Sequence, residues 1–286
     1  MTADRARSAD AVLRAALAAG DPRGVRLDPA FQGLPETAHG GTVLALFDAV
    51  ASAAMPRLLT GVYRRRVPLD SPLSLAVEPG DGVTAFRLLD GDALLVEGAV
   101  GTSRAPALAG TPDAAALAAL DGPPLPISQT CFACGVDNPL GLRARLCIDD
   151  ALVGGVWEPD RALHAAGAEG LAPLAVTTLL DETAFWLGAA ASGESGMTTE
   201  LRVRIQAPLP FGPVRVGGAR WPVRPRAEDP RYWDTTVVAF DAAGTLLASA
   251  DITFVAVRGA ARKLVTGLSA INPPDVMRRV FPRYVA

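Results

Sequence analysis

Apolar residues run almost without interruption through Gly40–Met55, and no proline falls inside this stretch. A segment this long and this apolar predicts a buried helix. Four shorter runs typical of β-strands follow it, at Leu58–Val67, Leu73–Val77, Val83–Leu89 and Ala93–Val100. Prolines and the Asp90–Gly91 pair separate these runs, as expected for turns. The pattern therefore predicts one helix followed by an antiparallel meander.

The same order of elements recurs in the second half of the chain. Two strand-like runs, Leu140–Ile148 and Leu152–Trp157, precede a second apolar helix at Pro173–Ala189. Four further strands are predicted after it, at Thr198–Gln206, Val214–Val223, Tyr232–Phe240 and Leu246–Val257. Leu46-Phe47-Asp48 corresponds to Leu179-Leu180-Asp181, so each predicted helix has an aspartate near its middle. The sequence therefore predicts a diverged internal repeat.

The repeat divides the chain into five predicted segments. They are an N-terminal helix at 1–23, a first unit at 24–105, a linker at 106–127, a second unit at 128–258, and a C-terminal tail with a short helix at 259–286. Ala, Pro and Gly dominate the linker, where we expect one short helix at Asp113–Leu120. The N-terminal segment has neither the apolar core nor the cleavage site of a signal peptide.

Composition excludes two classes of function. The 286 residues carry a formal net charge of −3, which argues against a nucleic-acid-binding surface. No apolar run reaches the length of about 18 residues that a membrane-spanning helix needs, so we expect no membrane partner. The three cysteines cannot all form disulfides, which is typical of a protein in the reducing cytoplasm.

His39-Gly40-Gly41 stands at the start of the first predicted helix. Glycines allow a ligand to approach the backbone closely, and the free N–H groups of a first helical turn favour negative charge beside them. Such a helix start can polarise a carbonyl and stabilise an oxyanion. A turn capped by the histidine is the alternative interpretation.

Asp48 and Asp181 lie in the middle of helices that carry almost no other charge. A buried carboxylate is costly unless it has a partner, which can be water, a substrate or a hydrogen-bond donor. Both a catalytic role and a structural role, with the carboxylate bonded to backbone between the two halves, agree with the sequence.

Three segments of the first half, FQGLPETAHGGTVLALFDAV, TGVYRRRVPLDSPL and LLDGDALLVEGAV, resemble the phenylacetyl-CoA branch of the hotdog-fold thioesterases. In the second half, TCFACGVDNPLGLRARL, LLDETAFW and FDAAGTLLASADITFV resemble the same superfamily. The resemblance implies an α+β fold, a tandem double hotdog in which two long central helices pack on one continuous antiparallel sheet as a pseudo-dimer. It also implies an acyl-CoA or acyl-carrier-protein substrate, coenzyme A only as part of that substrate, and no other cofactor. Further assembly into a homodimer of pseudo-dimers is compatible with it.

The resemblance also implies roles for individual residues. Gly40 would donate its N–H to the thioester carbonyl with Gly41 beside it, His39 would shape the turn, and the aspartate from the other half would act as general base or nucleophile. The second copy departs from this pattern, since Ala172-Pro173-Leu174 replaces His-Gly-Gly and Pro173 has no N–H. We therefore predict one asymmetric site that pairs Gly40 with Asp181.

Several other residues are weaker candidates. Glu182 is an alternative carboxylate, and Phe185 occupies the position where a polar residue would help to hold water. Gln32 is a candidate substrate contact. Arg64 and Arg66 alternate with Arg65 along a predicted strand, so they would either meet coenzyme A phosphates or form a solvated face.

Two further motifs carry no predicted chemistry. Cys131-x-x-Cys134 has only Cys147 and His164 as nearby ligands in the sequence, so we predict a tight turn and no metal site. Asp137-Asn138-Pro139-Leu140 resembles a motif of hotdog hydratases, but Gly141 stands where their histidine would be.

The function predicted from the sequence is thioester hydrolysis. A non-catalytic acyl-thioester binding protein or pathway partner, and a hotdog enzyme of other chemistry such as a dehydratase or cyclase, stay open.

Overall fold

The computed structural model describes residues 8–20, 22–51, 53–103 and 110–285. Its helices are α1 (Ala9–Ala15), α2 (Gly40–Ala51), α3 (Ala114–Ala118), α4 (Pro173–Ser192), α5 (Ala260–Leu268) and α6 (Pro274–Val280). Its strands are β1 (Arg23–Val25), β2 (Arg57–Tyr63), β3 (Leu73–Pro79), β4 (Val83–Asp90), β5 (Ala93–Thr102), β6 (Cys147–Ile148), β7 (Leu152–Trp157), β8 (Gly196–Ile205), β9 (Val214–Ala219), β10 (Tyr232–Phe240) and β11 (Leu246–Ala256).

All eleven strands belong to one antiparallel sheet, in the order β1-β3-β4-β5-β2-β8-β11-β10-β9-β7-β6. Strands β2 and β8 pair at its centre, from Arg57 opposite Ile205 to Val62 opposite Glu200, and so join the meander of each half. Backbone hydrogen bonds therefore run across the boundary between the two halves. The predicted continuous antiparallel sheet is confirmed, while the exact domain boundaries stay predictions.

Helices α2 and α4 are almost wholly buried, as their apolar sequences predict. They pack against each other and against the sheet. Their crossing is close at Gly41, where an added Cβ would lie 2.5 Å from the carbonyl oxygen of Thr177. Only glycine allows this approach. Gly41 therefore fixes the start of α2 against the backbone of α4.

Several elements differ from the sequence expectations. Of the strand predicted at Leu140–Ile148, only Cys147–Ile148 pairs in the sheet, because the preceding residues form a loop that buries Leu142 and Leu146. Helix α5 was not predicted, whereas α6 matches the short helix expected in the tail. At the N-terminus, the described helix ends at Ala15 and residues 23–25 form β1 on the edge of the sheet.

Among the described residues, no helix combines the length and the hydropathy needed to cross a membrane.

Candidate active site

A cavity of about 300 Å³ opens beside the start of α2. Its walls come from both halves: the start of α2 and the loop before it, the middle of α4, the first residues of β8, the loop at 128–134, and one face of α5. The apolar part of this lining, called the apolar wall below, includes Phe185, Trp186, Met197, Leu264 and Leu268. Its polar part includes His39, Gly40, Asp181, Glu182 and Thr198. An apolar pocket with a few converging polar groups is typical of a small-molecule site.

Asp181 is the residue on which the polar groups converge. Its Oδ2 accepts the backbone N–H of Gly41 at 2.8 Å, and its Oδ1 accepts the hydroxyl of Thr198 at 2.6 Å. The carboxylate therefore lies at the N-terminus of α2, where the helix dipole stabilises negative charge. The structure thus brings together the aspartate of the second half and the glycine turn of the first.

The two glycines at the start of α2 have different surroundings. An added Cβ on Gly40 would lie 2.7 Å from Oδ2 of Asp181, so the carboxylate can approach only because this residue has no side chain. Gly40 is partly exposed to the cavity, and its N–H donates no hydrogen bond to another described residue. The N–H of Gly41 is already donated to Asp181. Gly40 is therefore the donor left for a ligand, and Gly41 instead holds the acid.

His39 lies between two carboxylates. Its Nδ1 is 3.0 Å from Oδ2 of Asp181, at an angle outside hydrogen-bonding geometry, and its Nε2 is 3.4 Å from Oε2 of Glu182. The other oxygen of Glu182 accepts the indole N–H of Trp186 at 2.8 Å. Both ring nitrogens of His39 are thus directed at acidic groups of α4, and all four side chains are buried or nearly so.

These contacts move two pKa values in opposite directions. Burial disfavours the imidazolium, but the adjacent Asp181 and Glu182 outweigh it and hold the pKa of His39 well above its ordinary value. Burial alone would raise the pKa of Asp181, but His39, Thr198 and the Gly41 N–H together lower it. Asp181 is therefore an ionised carboxylate at neutral pH.

Sequence reasoning missed two polar residues of this site. Thr198 reaches Asp181 from β8, and Tyr63 at the end of β2 donates its hydroxyl to the carbonyl oxygen of Gly40 at 2.6 Å. Burial raises the pKa of Tyr63 well above its ordinary value, so it stays a neutral donor. No local sequence motif marks either residue. Only the register of β2 against β8, had it been known, could have placed these two strands beside the helix starts.

Other predicted contacts lie around the cavity. Gln32 lines it and donates its side-chain amide to the hydroxyl of Thr130 at 2.6 Å. Phe185 lines the apolar wall, where its ring meets that of Trp186 edge to face. The position predicted to lack a water-holding group is therefore apolar, and Thr198 supplies a hydroxyl from the following strand instead.

The structure corrects the alternation expected along Arg64, Arg65 and Arg66. Strand β2 ends at Tyr63, so the alternation expected for Arg64 and Arg66 does not continue through them. Arg66 and Arg65 line the cavity, whereas Arg64 points to Glu97 and forms an exposed ion pair with it at 2.6 Å. Arg64 is therefore not part of the cavity wall.

The Cys131-x-x-Cys134 turn is also part of the site. Both cysteines are buried and line the cavity, near Glu182. A hydrogen bond between the two thiols lowers the pKa of Cys131 and, with burial, raises that of Cys134 well above its ordinary value. His164 does not contact this cluster, and its ring instead stacks on Phe211.

Asp48, the counterpart of Asp181, has different contacts. Its Oδ2 accepts the guanidinium of Arg57 at 2.6 Å, and both side chains are largely buried. Burial raises the pKa of Asp48, although Arg57 opposes the shift. Helix α1 packs over this end of α2, with Arg14 near the carbonyl of Ala49. Helix α4, whose start corresponds to that of α2, begins at Pro173, which has no N–H to donate.

Comparisons with known proteins show the fold. No protein-family model and no curated protein matches the chain. A protein described as a thioesterase from Novosphingobium aromaticivorans is 17% identical with a TM-score of 0.57, over 85% of this chain and 98% of its own. An acyl-CoA thioesterase II from Mycobacterium marinum is 12% identical with a TM-score of 0.53, over 86% and 96%. The dehydratase domain from the CurJ module of the curacin polyketide synthase is 12% identical with a TM-score of 0.55, over 82% and 91%. These likenesses establish that the chain has the hotdog fold.

Proposed function

We propose that this chain is a tandem double hotdog that hydrolyses an acyl thioester, with coenzyme A or a carrier protein as the thiol, at one site between its halves. One observation carries the proposal: the carboxylate of Asp181 lies against the start of α2, 2.8 Å from the Gly41 N–H, with the Gly40 N–H open to the same cavity. A base and an oxyanion donor thus meet in one pocket, which is the minimum that attack on a carbonyl requires.

The steps follow from these positions. The thioester carbonyl oxygen accepts the Gly40 N–H, which makes the carbonyl carbon more electrophilic and stabilises the oxyanion that forms. Asp181 takes a proton from a water molecule that attacks this carbon. The tetrahedral intermediate then collapses, the carbon–sulfur bond breaks, and the leaving thiolate takes up the proton held by Asp181. Alternatively, Asp181 attacks the carbon itself and expels the thiolate, and water then hydrolyses the resulting anhydride to release the acid and free Asp181. The acyl group is accommodated along the apolar wall that includes Phe185 and Leu268.

Thiol release from a panel of short, long and aromatic acyl-CoAs tests the proposal, with Asp181→Asn and Asp48→Asn as a matched pair. We expect Asp181→Asn to reduce kcat by about 100- to 10,000-fold, the range for loss of a general base. Asp48→Asn keeps an acceptor for Arg57 and should retain the activity, with circular dichroism checking that both variants are folded. Equal losses in the two variants, or no release by the unmodified protein, would contradict the proposal.

Dehydration is a second candidate, because His39 and Asp181 form an acid–base pair that spans the halves. A dehydratase needs a ring nitrogen free to take a proton from its substrate. Both nitrogens of His39 instead face carboxylates, and its pKa is raised, so hydrolysis is favoured. Formation of an enoyl thioester from a 3-hydroxyacyl thioester, without thiol release, would favour dehydration over hydrolysis. Tight binding without either reaction would support an acyl-thioester binding protein.

A further inference from the structure

The turn at Cys131–Gly135 holds two thiols in a fixed arrangement. Gly135 donates its N–H to the carbonyl of Cys131 at 2.8 Å, and an added Cβ on Gly135 would lie 2.3 Å from that oxygen. The N–H of Ala133 points at the sulfur of Cys131, at 3.3 Å. An N–H directed at sulfur stabilises a thiolate, which is the form that binds metals.

Side chains from α2 and α4 complete the surroundings of this turn. One ligand atom each from His39, Cys131 and Glu182 lie within 4.8 Å of one another, and all three residues are buried. Cys134, three residues further along the same turn, is buried with Cys131 and lines the same cavity. The sequence separates these residues by more than 90 positions on one side and about 50 on the other, so no local spacing reveals the cluster.

The separation of His39 and Glu182 fits a shared cation better than a direct hydrogen bond. Their Nε2 and Oε2 atoms are 3.4 Å apart, which is longer than the range of about 2.7–3.2 Å for N–H···O bonds. Two ligand atoms at the usual zinc–nitrogen and zinc–oxygen distances, spread by a tetrahedral angle, lie about 3.4 Å apart.

The outer contacts are also those of metal ligands. A ligating histidine usually directs its second nitrogen at a carboxylate, and a ligating carboxylate is itself hydrogen-bonded. Nδ1 of His39 lies 3.0 Å from Asp181, and Oε1 of Glu182 accepts the Trp186 N–H at 2.8 Å. The Trp186 bond therefore fixes the orientation of Glu182 in advance, and Asp181 lies close to the second nitrogen of His39.

We propose that Cys131, Cys134, His39 and Glu182 form a tetrahedral site for zinc. Two thiolates, one imidazole and one carboxylate are ligands that zinc accepts, and four protein ligands make a closed, structural site. The bound zinc ties the loop at 128–141 to the start of α2 and the middle of α4, and so fixes His39 beside Asp181. Binding releases the thiol protons and any proton on Nε2 of His39. This site does not depend on the proposed hydrolysis.

Measurements of metal content and of cobalt spectra test the site and do not depend on catalytic activity. The full chain, produced with zinc and kept reduced, should contain one zinc per chain by elemental analysis. Replacing zinc by cobalt(II) should give a thiolate-to-cobalt charge-transfer band together with the d–d absorption of tetrahedral cobalt. Cys131→Ser should lose the metal and the charge-transfer band. Cys147→Ser, which changes the remaining cysteine outside the cluster, should retain both.

A variant in the outer contacts tests the geometry more finely. Trp186→Phe removes the N–H on Glu182, and we expect zinc affinity to fall about 10- to 100-fold, as for other outer-contact losses. Circular dichroism checks its fold. Absence of zinc together with no charge-transfer band would overturn the proposal, as would a band that persists in Cys131→Ser. A Cys131–Cys134 disulfide in protein isolated under reducing conditions would also overturn it.

Discussion

At the first helix start, Gly40 and Gly41 lie against Asp181, whereas at the second, Pro173 has no N–H and the counterpart acid, Asp48, is bound to Arg57. Both acids are buried midway along an apolar helix, yet their partners differ in kind. The pKa of Asp181 is lowered by several donors, while burial raises that of Asp48 despite its arginine. The two buried carboxylates therefore differ in the groups that face them, and those groups come from distant parts of the chain in the case of Asp181.

The Asp48–Arg57 pair gives the largest expected effect. Arg57→Met should lower the free energy of unfolding by about 3–5 kcal/mol, because it leaves a buried charge without a partner. The double variant with Asp48→Leu should recover most of that loss. Because the folded-state pKa of Asp48 is raised above the unfolded value, the folded form binds the extra proton. The loss in free energy of unfolding caused by Arg57→Met should therefore become smaller as the pH falls toward the ordinary aspartate pKa. Urea titrations at several pH values measure the free energy of unfolding. A loss that does not change with pH would contradict the pairing of a buried Asp48 carboxylate with Arg57.

Gly40→Ala should have the largest effect on catalysis among changes at the glycine turn. The new Cβ would meet Oδ2 of Asp181 at 2.7 Å and displace it from the donors that hold it. We expect kcat to fall about 100- to 1,000-fold, as when an oxyanion-hole donor is lost. Gly212→Ala is the matched control, since nothing lies within 4 Å of its added Cβ. Thiol-release kinetics compare the two, and unchanged activity in Gly40→Ala would disprove the tight contact.

Thr198→Val should have a smaller effect. It removes the hydroxyl on Oδ1 of Asp181, a hydrogen bond to a charged group that is worth about 1.5 kcal/mol, or about tenfold in rate. Thr199→Val is the neighbouring control, because its hydroxyl bonds instead to the carbonyl of Thr253. Steady-state kinetics should separate the variants, and equal rates would mean that Thr198 does not support the base.

Pro173→Gly should have the smallest effect of all. It restores an N–H at the second helix start, but Asp48 stays bound to Arg57 and α1 packs over that end of α2. In an Asp181→Asn background, we therefore expect no measurable gain in thiol release. A gain would mean that the two sites differ only by the missing N–H.

The fold follows from the sequence more fully than the site does. The long apolar runs predict α2 and α4, and the alternating runs predict the paired strands, because hydrophobic period depends only on local residues. The turn at His39–Gly41 was identified as a candidate from its glycines at a helix start, and the acid at Asp181 from its place in the repeat. Their roles, like those of Gln32, Phe185 and Arg66, stay predictions.

What the sequence did not provide depends on long-range contacts. Thr198 and Tyr63 reach the site through strand register, and α5 closes it from the tail. The cysteine turn was judged by its sequence neighbours, Cys147 and His164, whereas the fold brings it to Glu182 and His39. Arg64 lies in the solvated position that the sequence left open as an alternative, because the strand ends one residue before it.

The two halves belong to a single polypeptide, and the ladder between β2 and β8 joins them in one shared sheet. In an assembly of two identical subunits, a substitution that introduced proline at one helix start would appear at both and abolish every working centre. In the proposed tandem arrangement each copy has its own sequence, so one helix start can lack an N–H while the other keeps it. Under the proposed function, covalent linkage therefore allows one working site beside one that lacks its donor, an asymmetry that identical subunits cannot have.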